Sequence, residues 1–187
     1  WDVVAHDALA FAASGERGLA DPEDAFEIEA TSAALGPVDM FRQADPAQLT
    51  TDSDSPLLQT WQLFQRLLAF HADDTDRTAF LAADLDRILW AAGAAVDDGE
   101  VTVVDRKTAA LEAFITQAGD HELASLARHA LAETLRRQGD LVAARALAVK
   151  GMEAHPASVG GKQCNNLIAA IDAKELAVAT ERAWAAP

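Results

Sequence analysis

The stretch from Ser125 to Ser158 reads SLARHALAETLRRQGDLVAARALAVKGMEAHPAS. Leu126, Leu131 and Leu135 recur at helical spacing, and Leu, Ala, Glu and Arg are good helix formers. Gln138-Gly139-Asp140-Leu141 then interrupts the pattern as a tight turn. Beyond it Ala144, Ala148 and Gly151 recur at steps of four and three residues, on one helix face. Small residues there let a second helix approach closely. Pro156 ends the stretch, because proline cannot continue a helix interior. The spacing therefore predicts two antiparallel helices closed by a glycine turn.

This unit resembles a single tetratricopeptide repeat in length and in the placement of its small residues. A step back of one repeat maps Ala144 onto Ala110, Ala148 onto Phe114 and Gly151 onto Gln117. The alanine and phenylalanine suit the second helix of a preceding unit. Its first helix, near residues 77–95, fits less well, because residues 96–103 add length. The expected fold is all-α, with tetratricopeptide-like antiparallel hairpins in an α-solenoid. The competing reading is an alanine-rich helical bundle.

The rest of the chain follows the same pattern. Trp1, Val4, Ala8 and Phe11 mark a first helix that Gly15 and Gly18 end. Residues 19–54 are less regular, with Pro22, Pro37, Pro46 and an acidic run from Asp21 to Glu29. Short helices are expected near 22–28 and 37–44. Ser55 and Pro56 read as an N-cap and first helical residue. Leu57, Trp61, Phe64 and Leu68 continue that helix to about Ala72. Asp73, Asp74 and Asp76 signal the next start. Phe80, Leu81, Leu85, Ile88 and Leu89 then run to about Ala95. Asp97-Asp98-Gly99 is a turn before a helix from Val101 to Ala118, with Val104, Leu111, Phe114 and Ile115. Gly119-Asp120 breaks it. Helices are expected over 121–138, 141–154 and 158–171, the last weakened by Gly160 and Gly161. Trp1, Trp61 and Trp90 read as core. Leu176, Val178, Thr180 and Arg182 alternate with other residues at a strand period. Residues 1–172 thus read as one helical domain. Residues 173–187 read as a linker or the first strand of a following β-sandwich domain, with Trp184 left exposed by that domain's absence.

The 187 residues carry 15 Lys and Arg against 30 Asp and Glu, a net charge of −15. That balance argues against nucleic acid, whose phosphates demand a basic face, and against an anionic membrane surface. No run of about 20 apolar residues is present, so direct membrane insertion is not expected. The lone Cys164 excludes an internal disulfide and a cysteine-built zinc site. The chain starts at Trp1 rather than Met, as expected of a piece of a longer protein.

Candidate chemistry is sparse. His6-Asp7 and His71-Ala72-Asp73-Asp74 carry metal-ligand residue types, but His71 and Asp74 suit a helix end. The acidic loops at 52–54, 73–76 and 97–100 lack the ligand order, central glycine and closing glutamate of a calcium loop. Cys164 with His155 or His129 could form a nucleophile pair beside Lys162. However, Leu167 and Ile168 suggest a buried, inert thiol. No phosphate-binding glycine loop and no Gly-x-Ser-x-Gly elbow occur. The expectation is no catalytic, cofactor-binding or metal-binding residue. An all-α enzyme is the least favoured reading.

Scattered residues along the chain resemble the N-terminal helical region of large bacterial alpha-2-macroglobulin-like proteins. They begin with Trp1-Asp2-Val3-Val4-Ala5-His6, Ala8-Leu9, Phe11 and Ala25-Phe26-Glu27-Ile28. The most specific are Thr51-Asp52-Ser53, Gln62, Leu67-Leu68-Ala69-Phe70-His71 and Asp73-Asp74. Asp84-Leu85-Asp86-Arg87, Ala148 to Pro156, Gly161-Lys162-Gln163-Cys164, Leu167-Ile168 and Ile171 continue the likeness. Leu176, Val178 and Thr180-Glu181 look like the entry to a macroglobulin-type β-sandwich. The resemblance implies an exported, periplasmic or cell-envelope protein in which this segment is a non-catalytic structural or protein-interaction domain. Its partners would be neighbouring domains of the same chain, or a protein or peptide. Some members trap proteases through a thioester; the Cys-Gly-Glu-Gln motif that forms it is not found here. The alternative is a self-standing tetratricopeptide-like adaptor that binds a basic peptide in an acidic groove.

Overall fold

The computed structural model describes Ala5, residues 7–9 and residues 26–173. His6, Trp1 and the strand-like tail lie outside the described residues. Ala5 and residues 7–9 are helical, and Ala5 and Leu9 are buried. Ala8, expected on the apolar face, is exposed instead.

The irregular segment holds β1 (Ile28–Glu29), a 3-10 turn at Ala33–Leu35, α1 (Val38–Gln43) and a second 3-10 turn at Pro46–Gln48. Then follow α2 (Pro56–Phe70), α3 (Thr78–Ala94), β2 (Ala95–Val96), α4 (Val103–Ala118), α5 (Leu123–Arg137), α6 (Leu141–Ala154) and α7 (Val159–Asp172). The protein is mostly helical, as its helix-former content and 3.6-residue periodicity require.

The short helix expected near 22–28 is corrected at its described end. Phe26, Ile28 and Ala30 are buried and Glu27 and Glu29 exposed, which is the period of a strand. β1 pairs in parallel with β2, with Ile28 opposite Ala95 and Glu29 opposite Val96. Other expectations shift by a residue or two. Val104 is exposed, and Val103 packs on the core in its place. Ser55 occupies the N-cap of α2 and is buried, but its side chain makes no capping bond.

α3 sits between two apolar clusters. Phe80, Ala83 and Ala91 face Trp61, Phe64, Leu67 and the segment around Phe41. Leu81, Leu85 and Ile88 face Leu111 and Phe114 of α4 and Leu131 of α5. A helix buried on opposite sides serves as the centre of its domain. Beyond α4, each helix packs on the next, and α5 touches both α6 and α7. Connections of three and four residues between α5, α6 and α7 leave no room for anything but a reversal of direction. Gly139, at φ +89°, makes the first reversal in a conformation that disfavours any side chain.

Small residues set the spacing of this last triplet. Ala132, Ala144, Ala148, Gly151 and Cys164 are fully covered. A Cβ at Gly160 would stand 2.2 Å from the backbone nitrogen of Leu126, so α7 lies against the α5 backbone itself. A Cβ at Gly151 would stand 2.6 Å from Cys164 Sγ. The Arg145 guanidinium of α6 donates to both carboxylate oxygens of Asp172 on α7, at 2.7 and 2.8 Å, and ties the rim.

Ala144→Leu is expected to lower stability by about 1–3 kcal/mol through overpacking, seen as a lower urea midpoint with unchanged slope. Gly160→Ala should cost at least as much, because backbone rather than a flexible side chain blocks the added carbon. Ala146→Gln, on the exposed face of the same helix, should move the midpoint little. A neutral Ala144→Leu would show that the α5–α6 crossing is not where these contacts put it.

Candidate functional site

The residues singled out for chemistry serve the fold's own hydrogen bonds. His71 ends α2, is 4% exposed, and meets the Asp74 carboxylate at 2.7 Å through Nδ1. Its neighbour Phe70 presents a ring edge-on at 4.9 Å. Asp76 accepts from the backbone and hydroxyl of Thr78, which opens α3. Those bonds hold its carboxyl below the usual range. Asp97 accepts from the backbone of Val103, and Asp98 accepts from the Thr31 hydroxyl. Asp7 is exposed. Among the described residues, no three His, Cys, Asp or Glu side chains gather at metal-binding distance.

Cys164 is fully buried, and its thiol lies 3.5 Å from the Ser125 carbonyl oxygen. Burial pushes its pKa up to about 11, against a smaller pull from Arg128. Neither proposed base bonds to it. His155 caps the end of α6, with Nε2 3.6 Å from an Asp120 carboxylate oxygen, a charge contact beyond hydrogen-bond reach. His129 is half-buried in α5, and that burial holds its pKa below the ordinary value.

Two features escaped the sequence reading. The first is an ion pair inside the core. Arg87 and Asp84 are each 1% exposed. Arg87 donates through Nε and Nη2 to one Asp84 oxygen, and through Nη1 to the carbonyls of Ala34 and Gly36 at 2.8 and 2.9 Å. Its guanidinium carbon lies 5.1 Å from the centre of the Phe41 ring. Burial raises the Asp84 pKa despite the adjacent cation. A cleft of about 220 Å³ opens beside this pair, lined also by Arg106, Ala110 and Gln117. Arg87 is committed as described, and Arg106 donates through Nε to the Ala30 carbonyl at 3.3 Å.

The second feature is a trough along β1. A cavity of about 340 Å³ is walled by Phe26, Ile28, Leu49 and Trp61, with Glu27 and Glu29 also lining it. An adjoining cavity of about 490 Å³ shares Phe26, Glu27, Glu29 and Leu49 and reaches Thr51. Trp61 stacks on Phe41 at 5.3 Å and is fully buried, yet among the described residues its indole N–H has no acceptor. Such a donor costs about 1–3 kcal/mol to leave unpaired. The alternation from Phe26 to Ala30 was the available signal. The acidic run around it reads first as a solvated helix start.

Comparison with protein families, curated proteins and solved structures finds no match to this chain.

Arg87→Met should destabilise the protein by about 3–5 kcal/mol, because it strands a buried carboxylate and two carbonyls. A loss below about 1 kcal/mol by urea titration would refute that account. For Cys164, about one thiol in a thousand is ionised at pH 8. Ellman's reagent should therefore label the native protein slowly and the urea-unfolded protein at once. The unfolded thiol ionises from about pH 9 and the folded one only near 11, so alkaline stability should fall across that window and less so in Cys164→Ala.

Proposed function

We propose that this chain is a non-catalytic, tetratricopeptide-like interaction domain within a larger exported protein of the alpha-2-macroglobulin-like kind. The observation that carries the reading is the α5–α6–α7 triplet. There α5 packs on both the helix after it and the helix after that, through Ala132, Ala144, Ala148, Gly151 and Gly160. Stacked repeats bury their faces in this manner and leave an extended surface for partners. The fate of the candidate residues supports it, since His71, Asp76, Asp97 and Asp98 are spent on turns and helix ends. A periplasmic or cell-envelope location and partner domains in the same chain belong to the same proposal. Among the described residues no helix is long and apolar enough to cross a membrane.

A self-standing adaptor for a basic peptide is the second reading. The exposed Glu27 and Glu29 at the β1 trough favour it.

Hydrogen exchange of the isolated chain and of the full gene product decides between them. Added protection on the exposed faces of α4 to α7 in the full product is expected for a domain packed on its neighbours. A full product that ends near Pro187 would leave the adaptor. A longer product with no added protection would remove the domain reading.

A further inference from the structure

We infer that the trough along β1 takes an extended, lysine- or arginine-bearing peptide segment of a partner protein as an added strand. The inference rests on the interaction-domain reading and gives that domain a site and a partner chemistry.

β1 lies at the rim of a two-stranded sheet. One edge pairs with β2, and among the described residues no strand pairs with the other. Phe26, Glu27, Ile28 and Glu29 all line the cavity of about 340 Å³. Ile28 and Glu29 of β1 point to opposite faces yet both line it, so the cavity runs along the strand's edge rather than over one face. On that side the Glu29 carbonyl already accepts from the Ser32 N–H at 3.0 Å, so an added strand would pair on the Glu27 side of it. An edge without a paired strand is a template for another, with the main chain giving affinity and alternate side chains giving specificity.

The walls state which side chains suit it. Phe26, Ile28, Leu49 and Trp61 offer an apolar floor. Glu27 and Glu29 are exposed and have no ion pair among the described residues, whereas Asp45 already accepts from Ala47 and Gln48. An alternating segment would set apolar residues on the floor and cations against the two free carboxylates. A chain of net charge −15 draws such a partner in at long range. The Trp61 N–H is the third element. It is covered in the free protein and belongs to a residue that walls the trough, so a bound segment that repacks this wall would be read at its indole resonance.

The probes are three blocked peptides, acetyl-KVKVK-amide, acetyl-EVEVE-amide and acetyl-KPKPK-amide, titrated into the ¹⁵N-labelled chain. The last keeps the charge but has fewer backbone donors. The indole resonance of Trp61, assigned with Trp61→Phe, and the amides of Ile28 and Glu29 are followed by NMR. KVKVK should shift all three, and the exposed double variant Glu27→Gln/Glu29→Gln should weaken it about 10-fold. EVEVE and KPKPK should leave them in place. No shift with KVKVK at millimolar concentration overturns the proposal. Equal binding of KPKPK, or binding indifferent to the double variant, overturns it too, since the edge or the charge then plays no part. These outcomes are separate from hydrogen exchange in the full product. Protection there without peptide binding removes this site alone, and absent protection with specific KVKVK binding removes the larger-protein reading alone.

Discussion

The guanidinium of Arg87 is the contact on which the first half of the molecule depends. Between Phe26 and Leu49 the chain has only two-residue and three-residue elements and one six-residue helix. Such a segment cannot satisfy its own carbonyls, and buried ones demand partners. Arg87 reaches from α3 to two of them, on Ala34 and Gly36, while Asp84 neutralises its charge one turn earlier. Phe41 lies over the same group, and its other neighbour is Trp61. One side chain thus joins α1, α3 and the 3-10 turn, and Phe41 carries the contact on to α2. Arginine alone has the fork of donors for this; lysine would leave the arrangement short of bonds.

The direction of the Asp84 shift says what the pair contributes. Its pKa is raised, so burial disfavours the charged carboxylate by more than Arg87 restores. The group therefore adds no stability at neutral pH by being ionised. Its worth lies in what would follow from its loss, since a buried charge without its counter-charge is far worse than the pair. A polar pair of this sort pins one geometry, because sliding the segment by a residue would strand the guanidinium. Apolar contacts alone, being non-directional, tolerate such a slip.

How much of this was legible follows from the range of the interactions. The α5–α6 hairpin rests on contacts within a short stretch, so glycine, proline and the alanine spacing carry it openly. Ala144 is buried where that spacing put it. The β1–β2 pairing joins Ile28 to Ala95, and no local pattern in either strand names its partner. Asp84 and Arg87 sit three apart on a helix, a spacing that surface pairs share. Only the apolar residues on both sides of them separate a core pair from a surface one. α4 starts where Thr102 caps it, its hydroxyl accepting from the Asp105 N–H, and the turn of the helix there puts Val103 rather than Val104 on the core. Trp61 was readable as core, but its missing acceptor was not, since that depends on which groups the fold failed to bring near.

The trough inherits its stiffness from these long-range bonds. Ala30, just past β1, donates to the Val96 carbonyl and accepts from Arg106. Thr31 is held by Asp98 across the β2 turn. Ala34 and Gly36 are held by Arg87. Every one of those bonds lies on the β2, α3 or α4 side of the strand, and none crosses the side that Leu49 and Trp61 wall. The strand is fastened along one edge; along the other, among the described residues, no strand pairs with it, and the Glu29 carbonyl accepts from the Ser32 N–H. A binding edge needs that asymmetry, because a rigid scaffold fixes its register while the other side has no strand of its own to displace.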